Sequence, residues 1–369
     1  MTPDSTSAPE LSLIVPTYNE SENITALVER VHSALSGYSY EIIVVDDNSP
    51  DGTADLAKSL SNKYPVKVVV RTRERGLATA VVAGFAEATG QLLGVIDADL
   101  QHPPEMIPTL LQAARDGADV VIASRYVPGG GTEDWNWFRE FMSRGAKLPA
   151  ILLLPSLRGV KDPLSGFFLF RKRIIEGITL APIGYKILLE VLIRGKAGKV
   201  VEVPFTFKGR EHGQSNLTFK EQVNYLAHLG RLAWLEGDAQ RFLKFCVVGT
   251  IGFGTNMGSF WLLTRIADLY DLAAIPIALE ISIIGNFILN EFWTFRDKRT
   301  GGGKDALVRA LKFNLISAGA TAIYYAIYTP LTRFAGVHDL IAYPIAIFVG
   351  LIWNFSLNFM WTWKVRARS

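Results

Sequence analysis

At 369 residues the chain exceeds what one ordinary core accommodates, and it reads as two domains. Its 49% hydrophobic content and mean hydropathy of +0.21 are high for a soluble enzyme. A net charge of +3 is too small to support nucleic-acid binding, but next to a membrane it suits anionic headgroups and phosphorylated substrates.

Residues 1–10 are polar and lack an apolar signal core, so no cleavable signal peptide is expected. Residues 11–16 (LSLIVP) form a short apolar run ending in turn chemistry. Residues 20–35 then carry Ile24, Leu27, Val28, Val31 and Leu35 at helical spacing. A second strand at 41–45 (EIIVV) closes on Asp46-Asp47-Asn48-Ser49-Pro50-Asp51-Gly52. Helix 53–60, strand 66–70, helix 79–88, strand 92–96 and strand 120–123 complete the pattern. Short apolar runs separated by helical patterns imply βαβ units and a parallel sheet, whose ligands bind at the carboxyl ends of the strands. The polar clusters Thr17 to Glu20, Asp46-Asp47, Asp97-Ala98-Asp99 and Ser124-Arg125 all fall there. No G-x-G-x-x-G follows the first strand and no Walker motif occurs, so a nucleotide would be held by carboxylates and metal.

Asp97, Asp99 and Gln101 follow the fourth strand at i, i+2 and i+4, which in extended chain places all three on one side. Three such oxygen donors suit a hard cation, Mg²⁺ or Mn²⁺, with sites left for diphosphate oxygens. The ion would offset charge on a departing nucleoside diphosphate. No Ser-His-Asp or Cys-His set is evident among the five His and one Cys, and Cys246 reads as plain packing.

The segments IVPTYNE, VVDDNSPDGT, GVIDADLQHPPE, ASRY, DPLSGFF and KGREHGQSNLT occur in order and resemble the family 2 glycosyltransferases, most closely the dolichyl-phosphate (polyprenol-phosphate) mannose synthases. The resemblance implies a GT-A (Rossmann-like) α/β fold and inverting transfer of mannose from GDP-mannose to a dolichyl or polyprenyl phosphate. It assigns Pro16, Tyr18 and Glu20 to the nucleotide-contacting first strand end, and Val45 and Asp47 to base and ribose. Asp97, Ala98, Asp99 and Gln101 fall to the metal and diphosphate, with Asp99 central to catalysis. Arg125 and Arg139 fall to the acceptor phosphate, and Arg210 to the donor diphosphate. Asn216 stands where the family commonly has a lysine. A lipid phosphate is already anionic, so no protein base is required and catalysis is positioning plus charge stabilisation. A UDP-glucose-dependent polyprenyl-phosphate glucosyltransferase and a lipid-linked sugar flippase are the alternatives. A processive synthase is disfavoured by the absence of Gln-x-x-Arg-Trp.

Residues 148–157 and 219–235 read as interfacial helices, the second carrying Phe219, Val223, Leu226, Leu229, Leu232 and Ala233 at helical spacing. Four spanning stretches follow at about 242–264, 272–292, 311–334 and 339–361. A shift of 68 residues aligns 241–296 with 309–364, giving about 21 identities in 56 positions, so the membrane half is a tandem repeat of two-helix units. Arg296, Lys298, Arg299, Lys304, Arg309 and Lys312 fill the central connection, and Lys364, Arg366 and Arg368 the C-terminus. Both termini and the catalytic domain are thus expected on the cytoplasmic face. Asn286, Asn290, Asn354 and Asn358 read chiefly as interhelical hydrogen-bonding groups. This half is similar to GtrA-type four-helix membrane domains. The expected organisation is a catalytic domain over 1–218, an interface helix and linker over 219–240, and an all-α transmembrane domain over 241–369.

Overall fold

The computed structural model describes residues 8–133, 143, 145, 147, 149–151, 153–209, 219–299 and 301–363. Two compact units divide the chain, Met1–Leu232 and Ala233–Arg366.

In the first unit the strands are β1 (Leu11–Thr17), β2 (Tyr40–Asp46), β3 (Val66–Val70), β4 (Leu92–Val95), β5 (Val120–Ser124), β6 (Gly131–Thr132), β7 (Phe168–Arg171), β8 (Val200–Pro204) and β9 (Thr206–Phe207). Helices α1 (Ile24–Ala34), α2 (Thr53–Leu60), α3 (Leu77–Glu87), α4 (Ile107–Arg115) and α5 (Ile187–Arg194) connect or flank them. A seven-stranded sheet runs β3-β2-β1-β4-β7-β5-β8, and β6 pairs with β9. All neighbours are parallel except β7, which lies antiparallel between β4 and β5. The sheet is thus predominantly parallel, as expected, with one antiparallel strand that the sequence pattern did not announce.

Alternation along β1 builds two cores. Leu11, Leu13 and Val15 pack with Leu27, Val28 and Val31 of α1 and Leu110 of α4 on one face. Ile14, with Ile43 and Val45, packs against Val81 and Phe85 of α3 on the other. Burial of each such side chain contributes about 1.5–3 kcal/mol. β1 neighbours both β2 and β4, so chain direction through the sheet order reverses there and a crevice opens beyond the carboxyl ends of these strands.

Helix α1 starts at Ile24 rather than at residue 20. The peptide N–H groups of Asn19, Glu20 and Ser21 donate instead to Ser49, Thr53 and Asp51, which ties 19–21 down onto the turn after β2.

Helix α6 (Phe219–Glu236) begins in the first unit. Tyr225, Leu229 and Leu232 are buried, whereas Val223, Leu226, Trp234 and Leu235 are about half exposed. The outward apolar stripe is thus the second set, and Leu229 and Leu232 belong to the protein interior. Among the described residues of 148–157, Ala150, Leu154 and Leu157 are buried and Leu153 is exposed, so these buried residues pack against protein.

The second unit contains α7 (Asp238–Arg265), α8 (Asp271–Leu289), α9 (Gly303–Arg333) and α10 (Asp339–Leu357). Four spans, Gln240–Arg265, Asp271–Thr294, Gly303–Arg333 and Asp339–Thr362, are long and apolar enough to cross a bilayer. The third begins earlier than expected: Asp305 accepts from the N–H of Gly302, capping a helix that takes in Lys304, Arg309 and Lys312. Repeat symmetry is visible in the packing. Phe295 and Trp363 are equivalent positions, and their rings stack on each other at 4.2 Å and 11°. Both copies end in a π-helical turn, Asn290–Thr294 and Asn358–Thr362. There the Asn290 and Asn358 amides donate to the carbonyls of Asn286 and Asn354 in their own helices, not across helices. Polar links between helices include Ser282 to the Gly252 carbonyl and Asn314 Nδ2 to Glu280, each at 2.7 Å.

Candidate active site

Three central strands end in left-handed backbone: Asn19 (φ 58°) after β1, Asn48 (φ 54°) after β2 and Leu100 (φ 59°) after β4. Asparagine tolerates this conformation and leucine does not, so strain sits beside the acidic cluster.

The β1 and β2 ends are joined through Asp46, buried, which accepts from Thr17 Oγ1 at 3.0 Å and from Ser49 N and Oγ at 2.8 and 2.6 Å. Asp47 is held by Arg71 Nε and by the N–H of Gly76, each at 2.7 Å. Pro16 is buried in β1, and Val45 sends its side chain into the core. Tyr18 is partly exposed, with Arg75 Nη1 3.3 Å from its hydroxyl. Glu20 accepts from Asn23 Nδ2 at 2.7 Å.

Past β4 the chain does not stay extended. It turns at Ala98–Asp99, and Gln101 N donates to Asp99 Oδ1 at 3.2 Å, so the i, i+2, i+4 argument fails in detail. The three residues still share one tight turn. Ala98 is buried, Asp99 is nearly so, and Gln101 Nε2 donates to the Lys208 carbonyl at 3.1 Å, which leaves Oε1 as the oxygen a cation would take. On the far side of Asp97 stands Gly166, where an added Cβ would lie 2.6 Å from Asp97 Oδ2. Glycine there preserves the space around the carboxylate. Among the described residues no three His, Cys, Asp or Glu side chains form a cation cage. Two carboxylates and an amide, with the rest left to substrate oxygens, are nonetheless a donor set that Mg²⁺ or Mn²⁺ accepts, so the residues fit the ion.

His102 lines the same pocket, 3.5 Å from Asp97 Oδ2, amid Phe167, Phe205 and Phe207. Burial, then repulsion from Arg125 and Lys186, pushes its pKa to about 3, so the ring is neutral. Arg125, at the end of β5, makes a bidentate pair with Asp162, Nε and Nη2 each at 2.8 Å. Its guanidinium also lies 5.6 Å over the Phe207 ring. Burial disfavours its charge, but the Asp162 hydrogen bond and charge outweigh this and hold it above its ordinary value. Asp162 is itself fixed, its N–H donating to Glu202 at 2.8 Å. Lys186, at the N-cap of α5, donates to the Leu164 carbonyl at 2.9 Å. Burial, then Arg125, lowers its pKa to about 8.

The structure therefore places Asp97, Asp99 and Gln101 on the turn after β4, with Asp97 near enough to Arg125 at the β5 end to act on its charge, and Asp47 and Tyr18 at the neighbouring strand ends. Arg139, Arg210 and Asn216 lie outside the described residues. Asp162, Gly166 and His102 sit inside the quoted DPLSGFF and QHPPE segments without having been given a role, and Lys186 carried no signal in the sequence.

Residues 12–179 match the profile of Glycosyl transferase family 2, and residues 244–363 that of the GtrA/DPMS transmembrane domain. Dolichol-phosphate mannosyltransferase of Pyrococcus furiosus is 46% identical over 351 residues, covering 95% of this chain and 97% of that one. The Saccharomyces cerevisiae dolichol-phosphate mannosyltransferase is 39% identical over 66% of this chain and 94% of its own length. Polyprenol monophosphomannose synthase of Mycolicibacterium smegmatis is 40% identical over 56% and 80%. Among solved structures, glucosyl-3-phosphoglycerate synthase of Mycobacterium tuberculosis with Mn²⁺ and uridine diphosphate superposes with a TM-score of 0.48 at 21% identity, across 61% of this chain and 80% of that one.

Proposed function

Since the chain belongs to the dolichol-phosphate mannosyltransferase family and is an integral membrane glycosyltransferase of GT-A fold, we propose that it transfers mannose from GDP-mannose to a dolichyl or polyprenyl phosphate, inverting the anomeric carbon. The observation that carries this is the placement of Asp97, Asp99 and Gln101 on the turn after β4, with Arg125 near enough to Asp97 for their charges to interact.

The β1 and β2 ends receive the nucleoside, with Asp47 pre-oriented by Arg71 and Gly76. Asp97, Asp99 and Gln101 hold the divalent cation, which when bound offsets charge on the departing diphosphate. Arg125, kept rigid by Asp162, faces the lipid phosphate and lowers the repulsion between two anions. An acceptor phosphate oxygen forms the new bond to the anomeric carbon as the bond to the diphosphate breaks, and the diphosphate leaves with the electron pair. No proton moves, consistent with the neutral, buried His102. The outward apolar stripe of α6 and the basic Arg241, Lys298 and Arg299 support placing the catalytic unit on the cytoplasmic face.

The test is transfer by the purified full chain with GDP-mannose or UDP-glucose, with and without chelator. Mannosyl product that disappears on chelation supports the proposal. A preference for UDP-glucose, or full activity in chelator, contradicts it.

A further inference from the structure

Two cations, Arg125 and Lys186, lie close enough beside Asp97 to act on each other's charge. Arg125 is matched by Asp162, whose side chain is 1% exposed. Lys186 is not matched: its ammonium has a neutral partner, the Leu164 carbonyl, and the face of Tyr185 at 4.5 Å. Among the described residues no carboxylate lies within 4.0 Å of it. The groups that act on its charge are Arg125, which repels it, and Asp97 and Asp162, which attract it. Asp162 is already engaged, and Asp97 belongs to the cation site. A partly buried ammonium with no carboxylate in direct contact matches an anion that arrives with the substrates.

We propose that Lys186 is a phosphate-contacting residue of the transfer reaction, its ammonium meeting an oxygen of the bound diphosphate or of the lipid phosphate beside Arg125. Segment 162–166 makes this geometry possible. It presents Asp162 to Arg125, the Leu164 carbonyl to Lys186 and Gly166 to Asp97, so one short loop spaces all three groups around the reacting anions. Lysine suits the task as a compact point charge with three donors, of which Leu164 takes one. The inference rests on the proposed reaction only in that two phosphate-bearing substrates meet here; a different sugar on the donor leaves it intact.

Two measurements decide it. In the full-length protein, amine acylation at Lys186 is followed by mass spectrometry with GDP and Mg²⁺, with dolichyl phosphate in detergent, or with neither. Protection by GDP assigns the donor diphosphate, and protection by dolichyl phosphate assigns the acceptor. No protection at saturation by either overturns the proposal. Separately, Lys186→Met is expected to raise the KM of the protecting substrate by about tenfold to a hundredfold, the scale of one charged hydrogen bond, with an unchanged thermal midpoint. Lys186→Arg restores most of that loss. Unchanged KM in Lys186→Met, or a lowered midpoint that Lys186→Arg fails to restore, makes Lys186 a structural partner of Leu164 and overturns the assignment.

Discussion

Both units bury charge, but they treat it differently. In the membrane unit Glu291 accepts from Arg309 Nε and Nη2 at 3.1 and 2.6 Å and from Trp363 Nε1 at 2.8 Å, with Arg299 at 3.5 Å. Its oxygens are fully engaged by protein. Around Asp97 in the catalytic unit, Lys186 leans on a carbonyl, and the buried Nδ1 of His102 has no hydrogen-bond partner. A buried charge fully paired within the protein fixes structure, whereas one paired only to a neutral group leaves room for a ligand's charge. Repeat comparison sharpens the point: the equivalent of Glu291 in the second copy is Phe359, fully buried. The ion pair is therefore one local solution for joining the helices, not something both copies require.

That contrast can be broken experimentally. Asp99→Ala should lower transfer on the order of a thousandfold while the thermal midpoint stays near wild type. A proportional loss of folded protein would make the site merely structural. Glu291→Ala should do the reverse. Removing one partner of a buried pair costs about 3–5 kcal/mol, seen as a lower midpoint in detergent, with kcat per folded molecule preserved. Gly166→Ala should weaken metal affinity by about tenfold to a hundredfold by crowding Asp97, measured by Mn²⁺ titration. The pH profile gives a smaller effect. With its pKa at about 8, Lys186 is charged below that pH and loses its proton above it, so affinity for the anion it contacts falls as pH rises through 8. In Lys186→Arg that alkaline fall should vanish. Smallest is the effect of Val223→Ser with Leu226→Ser on α6, which should raise the KM for long-chain acceptors a few-fold and leave that for the nucleotide sugar unchanged.

Much of this was legible in the sequence. Strand-ending clusters at Asp46-Asp47 and Asp97-Asp99 marked the crevice because parallel sheets place ligands at their carboxyl ends. Internal repetition and loop charge marked the membrane unit. What stayed hidden depends on contacts between distant segments. The antiparallel β7 is four residues with no turn chemistry of its own kind to announce its direction. Asp162, Gly166 and Lys186 reach the site only because β7 and α5 carry them there, and period-2 alternation turns the Val45 side chain inward. The stripe on α6 was read from helical spacing alone, which cannot say which of two apolar faces meets protein.

The account stands most directly on the ion at the β4 end. Titration of Mn²⁺ into the full-length protein, followed by electron paramagnetic resonance with and without GDP, should show binding that GDP strengthens and that both Asp97→Asn and Asp99→Asn abolish. Equal Mn²⁺ binding by wild type and both variants in the presence of GDP would contradict it.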